Sequence, residues 1–142
     1  MRIATVDGEQ ADVFRAHPGD AGIDLRSGES FTLAMFERRC VGTGVIVEVP
    51  EGCVGLLMPR SGLARDNGVT LLNTGVIDAG YRGEVGATLI NLGSAPVTIE
   101  RGERVCQLVV VPCDQSEVSQ VPREELTGSE RGEGGFGSSG RL

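Results

Sequence analysis

The chain has 142 residues, which fits one domain, and its 13 basic and 20 acidic residues give a net charge of −7. This acidic balance argues against direct binding to duplex DNA or to an anionic membrane, because both bind preferentially to basic protein surfaces. No run of 18 apolar residues and no basic-then-apolar leader is present, so we expect a soluble, cytoplasmic protein without membrane contacts.

The cysteines and the single histidine show no metal-binding spacing. Cys40, Cys53, Cys106 and Cys113 form no C-x-x-C pair, and His17 is the only histidine. Because a zinc site takes closely spaced Cys and His ligands, we expect none here. We expect four reduced and mostly packed thiols instead.

Apolar residues alternate with other residues along most of the chain. Residues 45–49 carry valine at every second position, and in residues 83–92 Val85, Ala87 and Leu89 alternate with Glu84, Gly86 and Thr88. The stretches 53–59 and 104–112 are nearly all apolar, which predicts strands covered on both faces. Residues 63–68 could form one helical turn. Short strands between Gly, Pro, Asn and Asp signals predict an all-β sandwich or barrel.

The composition changes after Cys113. Residues 114–142 contain few large apolar side chains, and 128–140 hold six glycines in thirteen positions. Such a segment cannot bury enough surface to order by itself. We therefore predict a β-domain over 1–113, followed by a tail over 114–142 that is either a linker or an arm.

Five segments hold polar residues where apolar runs end, namely AGIDLRS (21–27), PRSGLA (59–64), GVIDAGYRGEV (75–85), RGERVCQLV (101–109) and RGEGGFGSSG (131–140). Each has an ordinary interpretation alone, as a turn carboxylate, a strand-end turn, a cross-strand amide, a hairpin turn or a linker. Together they provide what a polyphosphate ester needs. Glycine-rich backbone, serine hydroxyls and arginine forks bind phosphates, while carboxylates hold Mg²⁺ through water or activate a water molecule.

In this order, the segments closely resemble the five motifs of the trimeric dUTP pyrophosphatases (dUTPases), from about residue 20 to residue 140. The resemblance implies a distorted jelly-roll-like β-barrel that assembles as a homotrimer. It also implies active sites between subunits and a flexible C-terminal arm that closes the site of a neighbouring subunit. The implied reaction is Mg²⁺-assisted hydrolysis of dUTP to dUMP and pyrophosphate, which keeps uracil out of DNA and supplies dUMP for dTMP synthesis.

The resemblance also implies roles for the polar residues of the first four segments. Asp78 would be the general base that activates the attacking water, and Gln107 would help to hold the site near that water. Asp24 would support Mg²⁺ through bound water. The corner Arg60–Ser61–Gly62 would bind phosphates.

Nucleoside contacts are implied for the third segment and the tail. Tyr81 would pack against the deoxyribose, where a 2′-hydroxyl would clash, and Arg82 would be structural or lie at the subunit interface. Uracil would enter a pocket formed by the hairpin of the third segment and would be recognised by the backbone groups of that hairpin. Many members place an Asn six residues before the catalytic Asp, in an N-x-P-G-x-[IV]-D pattern, whereas here the spacing is five and the Pro is absent. The remaining substrate-binding residues expected are Asn73, Gly75, Val76, Ile77, Arg131 (γ-phosphate), Phe136 (stacking on uracil), Gly137, Ser138 and Ser139.

Two alternatives share much of this pattern. A dCTP deaminase, or a bifunctional deaminase–dUTPase, has the same barrel but would release ammonia from dCTP. A non-catalytic binding module would keep the pocket for regulation. The DAGYRGE hairpin and the complete GGFGSSG arm favour an active dUTPase.

Overall fold

A computed structural model describes residues 1–9, 13, 15–135 and 138. The expected substrate contacts at Phe136, Gly137 and Ser139 therefore lie outside the described residues. Within these ranges, the regular elements are ten β-strands, one α-helix and a 3-10 helix: β1 Arg2–Thr5, β2 Ile23–Arg26, β3 Phe31–Leu33, β4 Arg38–Glu48, β5 Cys53–Pro59, α1 Ser61–Asn67, β6 Val69–Leu71, β7 Gly75–Ile77, β8 Glu84–Asn91, β9 Val97–Ile99, β10 Arg104–Pro112 and the 3-10 helix Arg123–Glu125. The all-β prediction is confirmed, and none of the helices in these ranges is long and apolar enough to cross a membrane.

The strands form two four-stranded sheets and one two-stranded sheet. Their orders are β1-β4-β8-β6, β2-β10-β5-β7 and β3-β9, and the neighbouring strands are antiparallel. The hydrophobic core takes side chains from all three sheets, including Leu25, Val47, Leu89, Ile99 and Leu108. The sheets therefore share one core, as packed sheets do when each buries one face.

The alternation predicted for β4 and β8 is confirmed. In β4, every second residue from Val41 to Val47 is buried, and in β8 Val85, Ala87 and Leu89 are buried while the intervening side chains are more exposed. The period of two arises because successive side chains of a strand point to opposite faces.

The strands β5 and β10 are less buried than predicted. Leu57 and Leu108 are buried, but Val109 to Val111 are only partly buried and Met58 is exposed. These strands are hydrogen-bonded to neighbours within their sheet, yet one face of the sheet is largely uncovered in a single chain. The sequence pattern thus identified these apolar strands correctly, but a single chain buries less of their apolar surface than the pattern predicted.

The chain leaves β5 through the short helix α1, which confirms the predicted helical turn. Gly68 closes the helix in the left-handed conformation, with φ of 70° and its N–H bonded to the carbonyl of Ala64. The side chain of Leu63 is buried and ties the helix to the core. Arg60 and Ser61 are thereby held at the end of β5.

The described residues after Cys113 lie outside the sheets. The segment is attached near its start, where the N–H of Cys113 bonds the carbonyl of Gly52 and the N–H of Gly52 bonds Oε1 of Gln115. From residue 116 onward, the described side chains are almost all exposed. The last strand, β10, ends at Pro112, and the boundary at 113/114 stays a prediction.

Candidate active site

Asp24 lies at the centre of a charged cluster because of its position in β2. Ile23 and Leu25 face the core, so strand alternation turns Asp24 to the opposite face. One carboxylate oxygen is 3.0 Å from Nε of Arg60, and the other is 3.0 Å from Nη1 of Arg104. One negative charge thus faces two positive charges, so these three side chains together carry a net positive charge.

Burial increases from the arginines to the carboxylate. The Arg104 side chain is 40% exposed, that of Arg60 is 26% exposed and that of Asp24 is 13% exposed. Arg60 is further fixed by a hydrogen bond from its Nη1 to the carbonyl of Arg104, at 3.1 Å. The cluster is therefore a fixed, half-buried arrangement rather than a set of solvated surface charges.

Gln107 sits beside Asp24 on the neighbouring strand. The two residues are paired in register between β10 and β2, and the Gln107 Nε2 donates to the carbonyl of Pro59 at 3.0 Å. The cross-strand hydrogen bond of the ordinary interpretation is present, and the side chain also borders the charged cluster. Gly22 makes this possible, since a Cβ at that position would lie 2.1 Å from Oε1 of Gln107.

Arg104 is a cluster member to which the sequence analysis gave no role. Simple alternation places residues 104 and 107 on opposite faces of a strand. The β10–β2 register, however, shifts between Arg104 and Cys106, and both Val105 and Cys106 are buried. Such a bulge adds one residue and moves the side chains that precede it to the other face. Arg104 and Gln107 consequently face the same side.

These residues border an open cavity of about 410 Å³. A loop before β2 closes one side of it, and the corner at the start of α1 forms another. A Cβ at Gly62 would meet no atom within 4 Å in the described chain, so Gly62 leaves free space beside Ser61. The polar residues that line the cavity are Asp20, Asp24, Arg60, Ser61, Arg104 and Gln107.

A tight turn follows β7 and carries Asp78 and Tyr81. The N–H of Tyr81 bonds the carbonyl of Asp78 at 3.0 Å, and the Tyr81 hydroxyl donates to the carbonyl of Glu84 at 2.9 Å. Nη1 of Arg82 donates to the carbonyls of Ala79 and Tyr81, at 2.7 and 2.8 Å. The Asp78 side chain is exposed at this turn.

Arg82 also anchors the turn to the neighbouring sheet. Its Nη2 lies 3.3 Å from Oε1 of Glu48, which also pairs with Arg2. The bond from Arg2, helped by the nearby charge of Arg82, holds the pKa of Glu48 below its usual range. The structural role expected of Arg82 is therefore present within one chain.

The expected uracil-binding residues precede this turn. Asn73 and Gly75 border a cavity of about 50 Å³ together with Leu57 and Leu71, a space about large enough for a few water molecules. The Ile77 side chain is buried in the core, whereas that of Val76 is exposed. Of Ile77, therefore, only the backbone is available to a ligand.

The turn and the charged cluster lie at opposite ends of β5. Ile77 pairs with Gly55, so Asp78 follows next to Val54, whereas Arg60 comes after the other end of the strand. The six residue-to-residue steps from Val54 to Arg60 span about 20 Å at about 3.3 Å per residue. The structure thus brings Asp24, Arg60, Ser61 and Gln107 together but keeps Asp78 away from them within one chain.

The described arm residues form a local turn of their own. Nε of Arg131 donates to the carbonyl of Gly134 at 2.8 Å, and the N–H of Ser138 bonds the carbonyl of Gly135 at 3.0 Å. Arg131 and Ser138 are exposed, and neither borders the 410 Å³ cavity.

All four cysteines are free; Cys40 is exposed on β4, Cys106 is buried, and Cys53 and Cys113 are partly buried. Cys106 is buried behind Asp24. Burial, with a contribution from the negative charge of Asp24, raises the pKa of its thiol to about 12. A thiol held protonated at neutral pH is a poor nucleophile, so Cys106 is not an activated cysteine.

Comparison with known proteins identifies the family. The dUTPase family model matches residues 9–140. The chain belongs to the dUTPase family. The deoxyuridine 5'-triphosphate nucleotidohydrolase of Anaeromyxobacter sp. (strain Fw109-5) is 52% identical over 124 residues, which cover 87% of this chain and 83% of the relative.

Solved dUTPase structures share the fold. The Staphylococcus bacteriophage 80alpha dUTPase, a mutant with dUpNHpp, has a TM-score of 0.88 and 34% identity, with coverage of 98% of this chain and 97% of that chain. A mutant dUTPase of phage phi11 of S. aureus, described for its coordination of a structural Mg(II) ion, has a TM-score of 0.79 and 29% identity, with coverage of 90% and 98%. The predicted dUTPase fold is confirmed.

Proposed function

We propose that this chain hydrolyses dUTP to dUMP and pyrophosphate at sites shared between the subunits of a homotrimer. Family membership makes the chain a hydrolase of nucleotide metabolism. The observation that carries the shared site is the separation of about 20 Å along β5 between Asp78 and the charged cluster. Both must reach the same α-phosphorus, so they come from different chains.

The charged cluster binds the triphosphate. Arg60 and Arg104 present two guanidinium groups whose charge Asp24 only half neutralises, and Ser61 adds a hydroxyl donor beside them. Guanidinium forks suit phosphate oxygens because their parallel N–H groups match the spacing of two oxygens. Donors fixed in advance stabilise the charge that grows on the leaving pyrophosphate.

Asp78 of a second subunit is the general base. Its carboxylate takes a proton from a water molecule as the water oxygen forms a bond to the α-phosphorus. The bond from the α-phosphorus to the bridging oxygen breaks, and pyrophosphate leaves with the bonding electrons. Gln107, which borders the charged cluster, holds the polar groups near this water in place.

The residues around the cavity fit a hydrated magnesium ion. Among the described residues, no group of three or more His, Cys, Asp or Glu side chains could hold a metal directly. Magnesium commonly keeps several waters and binds through one or two carboxylates plus substrate phosphates. Both Asp24 oxygens retain a further acceptor site beside their arginine bonds, so Asp24 would hold the ion through its water. The ion would neutralise charge on the triphosphate.

Nucleoside selection belongs to the turn that carries Asp78. The Tyr81 ring packs against the deoxyribose and leaves no room for a 2′-hydroxyl. The backbone of Gly75, Val76 and Ile77 reads uracil, with Asn73 beside it. The arm of a neighbouring subunit then closes the site, with Arg131, Phe136, Gly137, Ser138 and Ser139 as its contacts. Closure shields the reaction from bulk solvent and leaves the attacking water in place.

Pyrophosphate release with Mg²⁺ from dUTP, dTTP, dCTP and UTP in parallel tests the proposal, with ammonia followed in the dCTP sample. Release from dUTP alone is expected. Ammonia from dCTP would point to the deaminase alternative. Binding of dUTP without hydrolysis would point to the binding module. The cytoplasmic location expected from the sequence stays a prediction.

A further inference from the structure

The Tyr81 ring is folded back over the backbone that follows it. Its hydroxyl reaches the carbonyl of Glu84 at 2.9 Å, and on the way the ring passes directly beside Gly83. A Cβ placed on Gly83 would lie 2.3 Å from the hydroxyl oxygen, 2.5 Å from Cζ and 2.9 Å from Cε2 of Tyr81. These distances are well below van der Waals contact, so the observed ring position requires a residue without a side chain at 83.

The ring is the part that would move if a side chain were added. Tyr81 is 43% exposed, whereas Gly83 leads directly into β8, where Glu84 pairs with Ile46 and Val85 is fully buried. Two of the three close approaches involve ring carbons. Loss of the hydroxyl alone therefore does not relieve the conflict, and the ring must swing away from the backbone.

We propose that Gly83 is a positioning residue that sets the selectivity for deoxyribose over ribose. The inference rests on the proposed role of Tyr81 against the sugar. Gly83 lets the ring lie flat along the 83–84 backbone, with the hydroxyl fastened to Glu84, and this fixes where the ring meets the sugar. A steric block against one hydroxyl group depends on such placement, because a displaced ring opens the space that it had closed.

Gly80 offers a matched control in the same turn. A Cβ on Gly80 would meet no atom within 4 Å, and its backbone does not have a positive φ. Gly80→Ala and Gly83→Ala therefore add the same methyl group three residues apart. Only the second disturbs Tyr81.

The test compares kcat/KM for dUTP and for UTP in the full-length protein. Gly83→Ala should lower the dUTP/UTP ratio by about tenfold or more, which corresponds to about 1.4 kcal/mol. Gly80→Ala should leave it within about twofold. In a Tyr81→Ala background, Gly83→Ala should change the ratio less than about twofold, because residues that act through one another are not additive.

Fluorescence gives a second readout of the same ring. Tyr81 is the only tyrosine, and the chain has no tryptophan. Its emission intensity and anisotropy therefore report on Tyr81 without interference from other such residues. Gly83→Ala should change both, and Gly80→Ala should change neither.

The outcomes separate this inference from the function on which it rests. No hydrolysis of dUTP by the parent protein would overturn the proposed function, and an unchanged ratio in Tyr81→Ala would overturn the role of Tyr81. The role of Gly83 is wrong if Tyr81→Ala lowers the dUTP/UTP ratio but Gly83→Ala does not. It is also wrong if Gly83→Ala lowers the ratio as much in the Tyr81→Ala background as in the parent protein. Should Gly83→Ala fail to fold, recovery of folded protein in the Tyr81→Ala double variant would support the steric conflict, and no recovery would overturn it.

Discussion

Replacing Asp24 by Asn removes the one carboxylate that two guanidinium groups share while keeping the shape of the side chain. Hydrogen bonds to charged groups contribute about 1.5–3 kcal/mol each. The contact with Arg104 counts for less, because that side chain is 40% exposed and solvent screens it. The two remaining guanidinium groups also repel each other. We expect Asp24→Asn to lower the free energy of unfolding by about 2–3 kcal/mol.

Urea denaturation without nucleotide, at one fixed protein concentration, measures this loss, since the stability of an oligomer depends on concentration. Asp66→Asn is the control, because the Arg65 and Asp66 side chains are 79% and 55% exposed and such pairs contribute about 0–1 kcal/mol. The Asp24 effect should largely persist at about 0.5 M salt, since a half-buried pair is screened less than an exposed one. A loss below about 1 kcal/mol, or one equal to that of Asp66→Asn, would refute the reasoning.

Three further predictions concern the base, the arm and the buried thiol. Asp78→Asn should bind dUTP normally while turnover falls by about 10²-fold or more; turnover within tenfold of the parent would contradict this. Deletion of residues 131–142 should leave a folded trimer with a low kcat/KM. An insoluble product, or a monomer in size-exclusion chromatography, would contradict the role of the arm as a closing segment. The free energy of unfolding should fall as pH rises from about 9 towards 12, because the unfolded thiol ionises there while Cys106 stays protonated. Cys106→Ala should remove that part of the slope, and an unchanged slope would argue against it.

Alternation in the sequence predicted the fold well because it follows directly from strand geometry. The buried positions of β4 and β8 are those that the pattern indicates, and Asp24 faces away from the core for the same reason. The resemblance to the dUTPases then placed Arg60 and Gln107 with Asp24. The structure brings these three residues to one cavity.

Three features lay beyond the sequence pattern. Arg104 was missed because the bulge at Val105 reverses the alternation, and a bulge leaves little trace in a single sequence. The need for glycine at positions 22 and 83 depends on side chains that pack against them, Gln107 and Tyr81, which only coordinates reveal. The burial of β5 and β10 was overestimated because an apolar run in the sequence does not indicate whether the residues that bury it belong to the same chain.

The central claim is that each active site joins the Asp78 turn of one subunit to the charged cluster of another. Co-expression of Asp78→Asn chains with Arg60→Gln chains, followed by purification of the mixed oligomers, tests it most directly. In every trimer that holds two chains of one variant and one chain of the other, one of the three shared sites has both Asp78 and Arg60 intact, so purified mixed trimers should recover about a third of the parent activity. Mixed oligomers no more active than the two variants alone would contradict the account and place the whole site within one chain.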